Sequence, residues 1–527
     1  MTHPSSSKRP NHRLDPRDGP GARLAESGRP APAPSAGQPI HWADKDGLQV
    51  VKKASGGRRA QRLTRRAAVA ASLLLVSGCA AVGGVRDAGP PLRAQAALGV
   101  QRVLVLAVSF PDVPSVPALG RVKDRMLDRV AAYYAEASWG KTQLRGDVRG
   151  WYRLPRPLAE YEVSPYNIQV DRRRVRRLVE DAFSAAETEV AFERYDHVIV
   201  VVGVTTRPGV GYGMIAYSAN PGMLTVGVFR YGGARMETVV TRGGQRFSGG
   251  IIVVAQNAHP GHVVHDLAHA LGGVVGGRRP IPDLYDTVLQ GKVGPLSAAS
   301  FPKFTVFIGP WDVMSRHFAT WQQPPPGMSS FTRLRMGWIG SDQVEEVSPG
   351  ATRPVTLSPL AGGKGTLAVR VPGRWGTHYL LENRQPLPGD PVLPAAGLVI
   401  LHVDESREDG DGIVRVVDAN PSVPDFGAAP FGVRPGQTPS ARLPGEVAVE
   451  VLWQHGADLT VMVTTPSRGA EVQAVATRIR GTDRSLRQLP DAPVHARARA
   501  DLAAARDLLL QMKLADARAR LDAIQQP

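Results

Sequence analysis

The chain has 527 residues, a formal net charge of +17 and a single cysteine. The length exceeds one ordinary core and predicts three or four domain-sized pieces, and one cysteine excludes an intrachain disulfide framework. The first 100 residues hold 16 Lys and Arg against 6 acids, so +10 of the charge sits there, and no basic and aromatic patch follows to suggest nucleic-acid binding.

Residues 1–57 are rich in Pro, Gly, Ser and charge without apolar periodicity, and read as a disordered basic extension. Residues 58–79 read as a lipoprotein-type signal peptide. Arg58, Arg59, Arg62, Arg65 and Arg66 form a basic n-region, 67–76 an apolar run too short to span a bilayer, and Val76-Ser77-Gly78-Cys79 resembles a lipobox. Cys79 is then the lipidated first residue of an exported cell-envelope protein held at the membrane; the other reading of it is a buried thiol. Thr64-Arg65-Arg66 also resembles a twin-arginine signal, without the bulky residues that usually follow the pair.

After a tether over 80–100, the pattern predicts a strand at 102–110 and an amphipathic helix at 122–138, with Met126, Val130, Tyr133 and Tyr134 on one face. Strand-like alternation follows over 142–154, and then a helix at 171–189 whose arginine-rich face reads as solvated. The continuous apolar runs 197–203 and 249–256 read as strands covered on both sides. The second leads into a helix that Pro260 starts and Gly272-Gly273 end. Strands alternating with helices make 101–340 an α+β (α/β-like) domain, the one that carries the candidate catalytic residues below. Short strand-like runs separated by Pro and Gly make 341–465 β-sandwich-like. Residues 466–495 read as a linker and 496–527 as a helical tail.

The helix after Pro260 carries HVVHDLAHALGG, in which His265 and His269 lie four apart and share a face. This is the spacing of the two-histidine zinc helix, H-E-x-x-H. A hydrolytic zinc takes three protein ligands and keeps a fourth position for water, whose proton a nearby carboxylate accepts. The residue after the first histidine is Asp266, one methylene shorter than the glutamate of that motif. On a fixed backbone its carboxylate falls roughly 1–1.5 Å short, an error that can cost about a hundredfold. Asp266 therefore reads as a poor base, a base acting through a second water, or an inert orienter.

Asp283 and Asp286 are the nearest downstream candidates for the third ligand, and His262, three residues before His265 on the same face, is their rival. The metal-free reading is two histidines on an apolar helix. Tyr285 reads either as an aid in polarising a substrate carbonyl or as a buried structural tyrosine. Met314, taken alone, reads as a core methionine. Asp404, Glu405, Asp409 and Asp411 read as a calcium site or a solvated loop.

A series of segments in order resembles the immune inhibitor A family of secreted bacterial zinc metallopeptidases, from about residue 103 to 405. They are VLVLAVSFPD, AAYYAEASWGKTQLRGDVRGWYRLP, FERYDHVIVVVG, HDLAHALG, PDLYD, WDVMS, MSSFTRLRMGWI, HYLLENRQ and GLVILHVDE. The resemblance implies a metzincin-like endopeptidase acting on proteins or peptides. It implies zinc held by His265, His269 and Asp283, and a methionine turn at Trp311, Asp312 and Met314. Two departures stand out. Asp266 replaces the family's glutamate, and GVVGGRRPI lies between the helix and Pro282, where the family has its third-ligand segment close behind the helix glycine. Strict counting from His265 reaches Val275, which cannot bind zinc, so a longer loop has to return Asp283. Three functions follow: a membrane-anchored or secreted zinc endopeptidase with a weakened base, an inactive pseudopeptidase serving as a cell-surface binding lipoprotein, or a structural envelope lipoprotein.

Overall fold

The computed structural model describes residues 92–94, 97–113, 116–161, 172–205, 216–219, 238–286, 307–318, 322–407 and 409–524. Every described residue belongs to one compact unit, Ala81–Pro527. The basic extension, the signal-like segment and Cys79 lie outside the described residues.

The first sheet is built from β1 (Gly99–Ser109), β2 (Thr142–Arg153), β3 (His197–Val202), β4 (Ala216–Ala219) and, after a small ribbon of β5 (Val239–Val240) and β6 (Arg246–Phe247), β7 (Gly250–Ala255). Its order is β2-β1-β3-β7-β4, parallel except for the antiparallel edge strand β4. The apolar runs of β1, β3 and β7 sort by alternation onto two faces. Val103, Val105, Ile199, Val201, Ile252 and Val254 join one core, and Leu104, Leu106, Val198, Val200, Ile251 and Val253 join the other. Covering both faces is what a parallel sheet requires.

Helix α1 (Leu119–Lys123), a π-helical turn (Asp124–Asp128) and α2 (Arg129–Ala137) run on from one another. They cover the first face together with α5 (Pro260–Gly272), through Met126, Val130, Tyr134, Val263, Val264, Leu267 and Leu271. The other face is covered by α4 (Arg172–Ala186), through Val175, Leu178, Val179, Ala182 and Phe183; the short α3 (Leu158–Tyr161) precedes it.

Beyond α6 (Ser330–Arg335) come β8 (Val344–Glu346), β9 (Arg353–Leu357), β10 (Ala368–Pro372), β11 (Thr377–Arg384), β12 (Gly397–Asp404), β13 (Val414–Val417), β14 (Ser440–Leu443), β15 (Val447–His455) and β16 (Asp458–Thr464). They form two sheets, β13-β12-β11-β10-β8 and β14-β15-β16-β9. Val369, Leu381, Leu398 and Ile400 of one share a core with Val355, Leu443, Val449 and Val461 of the other. The alternate residues Leu380, Val399, Leu401 and Val403 point the other way, into the core that contains α5 and Trp311. Packing is therefore continuous across residue 341. With parallel and antiparallel sheets and helices on both, the chain is of the mixed α+β class.

The expected linker over 466–495 is instead mostly helix: α7 (Pro466–Gln488), a 23-residue element. Pro466 suits its first turn, and Val472, Val475, Ala476, Ile479 and Leu486 fall at helical spacing on its buried side. That stripe packs on Leu452 and Met462 from the outer side of β15 and β16, and α8 (Ala496–Leu510) and α9 (Leu514–Asp522) complete the cluster with Leu502, Leu509 and Leu521. Gly469, Gly481 and many arginines dilute the apolar pattern, which is why the segment reads as polar linker. Among the described residues no helix is long and apolar enough to cross a membrane.

Candidate metal centre

Helix α5 begins five residues after β7 ends and is buried from Gly261 to Gly272. Its start is fixed by His259, whose Nδ1 accepts from Gly261 N–H at 3.0 Å and whose Nε2 faces the Gln323 carbonyl at 2.8 Å. A Cβ on Gly261 would lie 1.8 Å from the His317 carbonyl oxygen, so only glycine lets that segment cross the first turn. Gly273, at φ 64°, ends the helix.

His265 and His269 project from this rigid element, and the backbone around them sets their tautomers. His265 Nδ1 donates to the Val313 carbonyl at 3.1 Å, and His269 Nδ1 donates to the Ile281 carbonyl at 2.7 Å. With a proton on each Nδ1, the neutral rings present bare lone pairs at Nε2. The two Nε2 atoms lie 3.0 Å apart, and Asp283 Oδ1 lies 3.1 Å from one and 3.0 Å from the other. Three acceptors thus converge. A proton on one ring bridges it to a neighbouring acceptor, whereas a bound cation would satisfy all three acceptors at once. Three ligands bonded at about 2.0–2.1 Å to a tetrahedral ion sit roughly 3.3 Å apart, close to the spacing here. The N, N, O donor set fits zinc and other borderline divalent ions.

Asp266 completes a buried cluster with the two histidines, their ligand atoms all within 4.8 Å of one another. Asp283 holds the third corner. Burial alone would raise its carboxyl; positive charge on the His269 and His265 rings would hold it well below the usual carboxylate range, and a bound cation would act in the same direction. Tyr285 stacks on the His265 ring at 5.8 Å, and its hydroxyl bonds to Asp283. Burial first, and then Asp283, push that hydroxyl well above its ordinary value, so it stays a phenol and donates.

The rival ligand His262 is not in this cluster. Both of its ring nitrogens lack a hydrogen-bond partner, and its ring packs edge-on against His317 at 4.6 Å and Phe318 at 5.6 Å. Asp286, the other candidate, is half-buried, and it is Asp283 that meets the two Nε2 atoms. His317 was not anticipated. Its ring lies 4.2 Å from that of His265, and its Nε2 has no partner. Burial holds both His262 and His317 well below their ordinary values, hence neutral.

The Trp311-to-Met314 segment runs beside the centre and ties its parts together. The Val313 carbonyl takes the His265 ring, and the Met314 carbonyl takes Leu284 N–H at 3.0 Å. Asp312 is fully buried and accepts from Met314 N–H, Ser329 N–H and the hydroxyls of Ser329 and Thr332, which pins the segment to the start of α6.

The acidic stretch near 404–411 is only in part the solvated loop expected. Asp404 turns back to Ser406 and Arg407. Asp409 faces inward instead, toward Asp283 N–H and Arg279. Among the described residues its carboxylates form no ligand trio of the kind a calcium site needs. Neither Arg279 nor Asp409 could be placed at the centre from sequence, because they meet only through the fold. No family model matches the chain, and no curated protein sequence matches it.

Proposed function

We propose that this chain is a zinc-dependent metalloendopeptidase of the immune inhibitor A type, exported and anchored through Cys79, with a catalytic domain followed by a β-sandwich. The observation that carries the reading is the convergence of His265 Nε2, His269 Nε2 and Asp283 Oδ1, with both Nδ1 protons already committed to backbone carbonyls. These three residues would hold the ion. When bound, a divalent zinc supplies Lewis-acid chemistry that polarises a carbonyl and acidifies water.

The chain's own residues do the rest. A carboxylate oxygen of Asp266 lies within 4.8 Å of a ring nitrogen of each histidine, and this carboxylate is the group that takes up the proton. Tyr285 orients the third ligand through its hydroxyl. His317 presents a neutral imidazole beside His265.

The test is metal content and hydrolysis of an unfolded protein substrate by the purified chain. About one zinc per chain, cleavage that stops with a chelator, and loss of both in His265→Ala are expected. A folded chain that takes up no zinc sinks the reading. The shortened Asp266 favours a second reading, a pseudopeptidase that binds a surface partner; zinc uptake without cleavage, unrelieved by Asp266→Glu, is its signature.

A further inference from the structure

Asp283 lies on a loop, yet it is held from both sides. Its N–H donates to Asp409 Oδ1 at 2.6 Å, and its carbonyl accepts from Gly410 N–H at 3.2 Å. Its carboxylate is held as well. Oδ2 lies 3.7 Å from Arg279 Nη1, and the same nitrogen lies 3.3 Å from Asp409 Oδ2. Asp409 thus reaches Asp283 twice, directly through the main chain and indirectly through Arg279. The three side chains are only 6% (Arg279), 12% (Asp283) and 13% (Asp409) exposed.

The rest of the loop docks on the same connection between β12 and β13. Arg278 donates to the carbonyls of Glu405 and Arg407, both at 3.1 Å. Arg335 donates to the Pro280 carbonyl at 2.9 Å and pairs with Glu405. None of these bonds is needed to form the hairpin, since β12 and β13 pair through their own main chains from Ile400 with Val417 to Val403 with Val414. Placing two carboxylates and a guanidinium out of water is a poor device for stability alone. Bonds from an outer shell to a metal ligand orient it, and their loss weakens the metal.

We propose that Asp409 is the positioning residue of the metal centre. It sets the third ligand from a hairpin more than 120 residues away, and the loop between Gly272 and Pro282 is long because it must reach that hairpin. The proposal rests on the metal reading above.

The experiment measures zinc affinity of the full chain by competition with a chromophoric chelator, with zinc and cobalt as the two probes. It also records the visible spectrum of the cobalt-loaded protein. Asp409→Ala should weaken zinc binding about 10–100-fold and shift the cobalt bands, with the far-ultraviolet circular dichroism of the parent. Asp409→Asn keeps an acceptor for Asp283 N–H and should lose less. Asp404→Asn, at the end of β12 with its side chain bonded to Ser406 and Arg407, should change neither readout. Should Asp409→Ala fail to fold, Asp409→Asn and Arg279→Lys carry the same comparison. A folded Asp409 variant with parental zinc affinity and cobalt spectrum overturns the proposal and leaves the metal reading standing. A parent chain that binds no zinc overturns both.

Discussion

Asp266 ends one methylene group short of where a glutamate would reach, and it is buried on the same helix as His265 and His269. The ligand atoms of all three lie within 4.8 Å of one another, a gap that one water spans. On the peptidase reading proposed above, a base working across such a gap would be misplaced, not absent. Asp266→Glu should therefore raise kcat about 10–100-fold at unchanged zinc content, because errors of about an ångström cost that much. Asp266→Asn keeps the shape and removes the proton acceptor, so kcat/KM should fall by about 10²–10⁴ with zinc still bound. If both variants cleave at the parent's rate, Asp266 is not the base, and the neutral His317 ring beside His265 is the next group to test. The histidine pair and the aspartate between them were legible in the sequence because helical spacing is local. Asp283 was legible only as one of several candidates, since the loop carrying it has no period to count along.

The segment from Trp311 to Ser315 owes its position to a buried ionic cluster. Arg384 on β11 bonds to the Trp311 carbonyl at 2.8 Å, to Glu382 at 2.8 Å and to Asp390 through two nitrogens. Glu382 in turn accepts from Ser330 N–H at 2.6 Å, at the start of α6. All three charges are out of solvent. Arg384→Met would strand two buried carboxylates and free the Trp311 carbonyl. Unfolding by denaturant should show a loss of about 3–5 kcal/mol, and a loss below about 1 kcal/mol would mean the carboxylates find other partners. The same contrast explains what the sequence hides at this scale. The strands β1, β3 and β7 announce themselves by unbroken apolar runs, and α5 by its caps. The clamp of Arg279 and Asp409 has no such mark, because its carboxylate lies 126 residues from the main-chain N–H it holds. In α7 the period exists, but Gly469, Gly481 and the arginines on its exposed side mask it.

Over the whole molecule, several histidines outside the metal centre are buried in the neutral form. Burial lowers His197 to about 4, His259 to about 4 and His378 to about 3. In the unfolded chain each titrates near 6.5. Above about pH 6.5 both states are neutral there, and stability is independent of these rings. Below it the unfolded chain takes up protons that the native state refuses, so stability falls with pH until each folded value is reached. Between pH 6.5 and 5 that is about 2 kcal/mol per ring, roughly 6 for the three, which is comparable to the whole stability of many proteins. Asp312 and Asp409 act in the opposite sense, their carboxyls being raised by burial, so the total is best dissected one ring at a time. His197 suits this because its Nδ1 has no partner and its Nε2 sits only 3.4 Å from Gln101. Denaturant unfolding at pH 7 and pH 5 should show a marked loss in the parent, and His197→Gln should shrink that loss by about 2 kcal/mol. An equal loss in parent and variant would remove His197 from the titrating set. No loss in the parent would mean that the buried rings are already protonated, or reached by water, in the native protein.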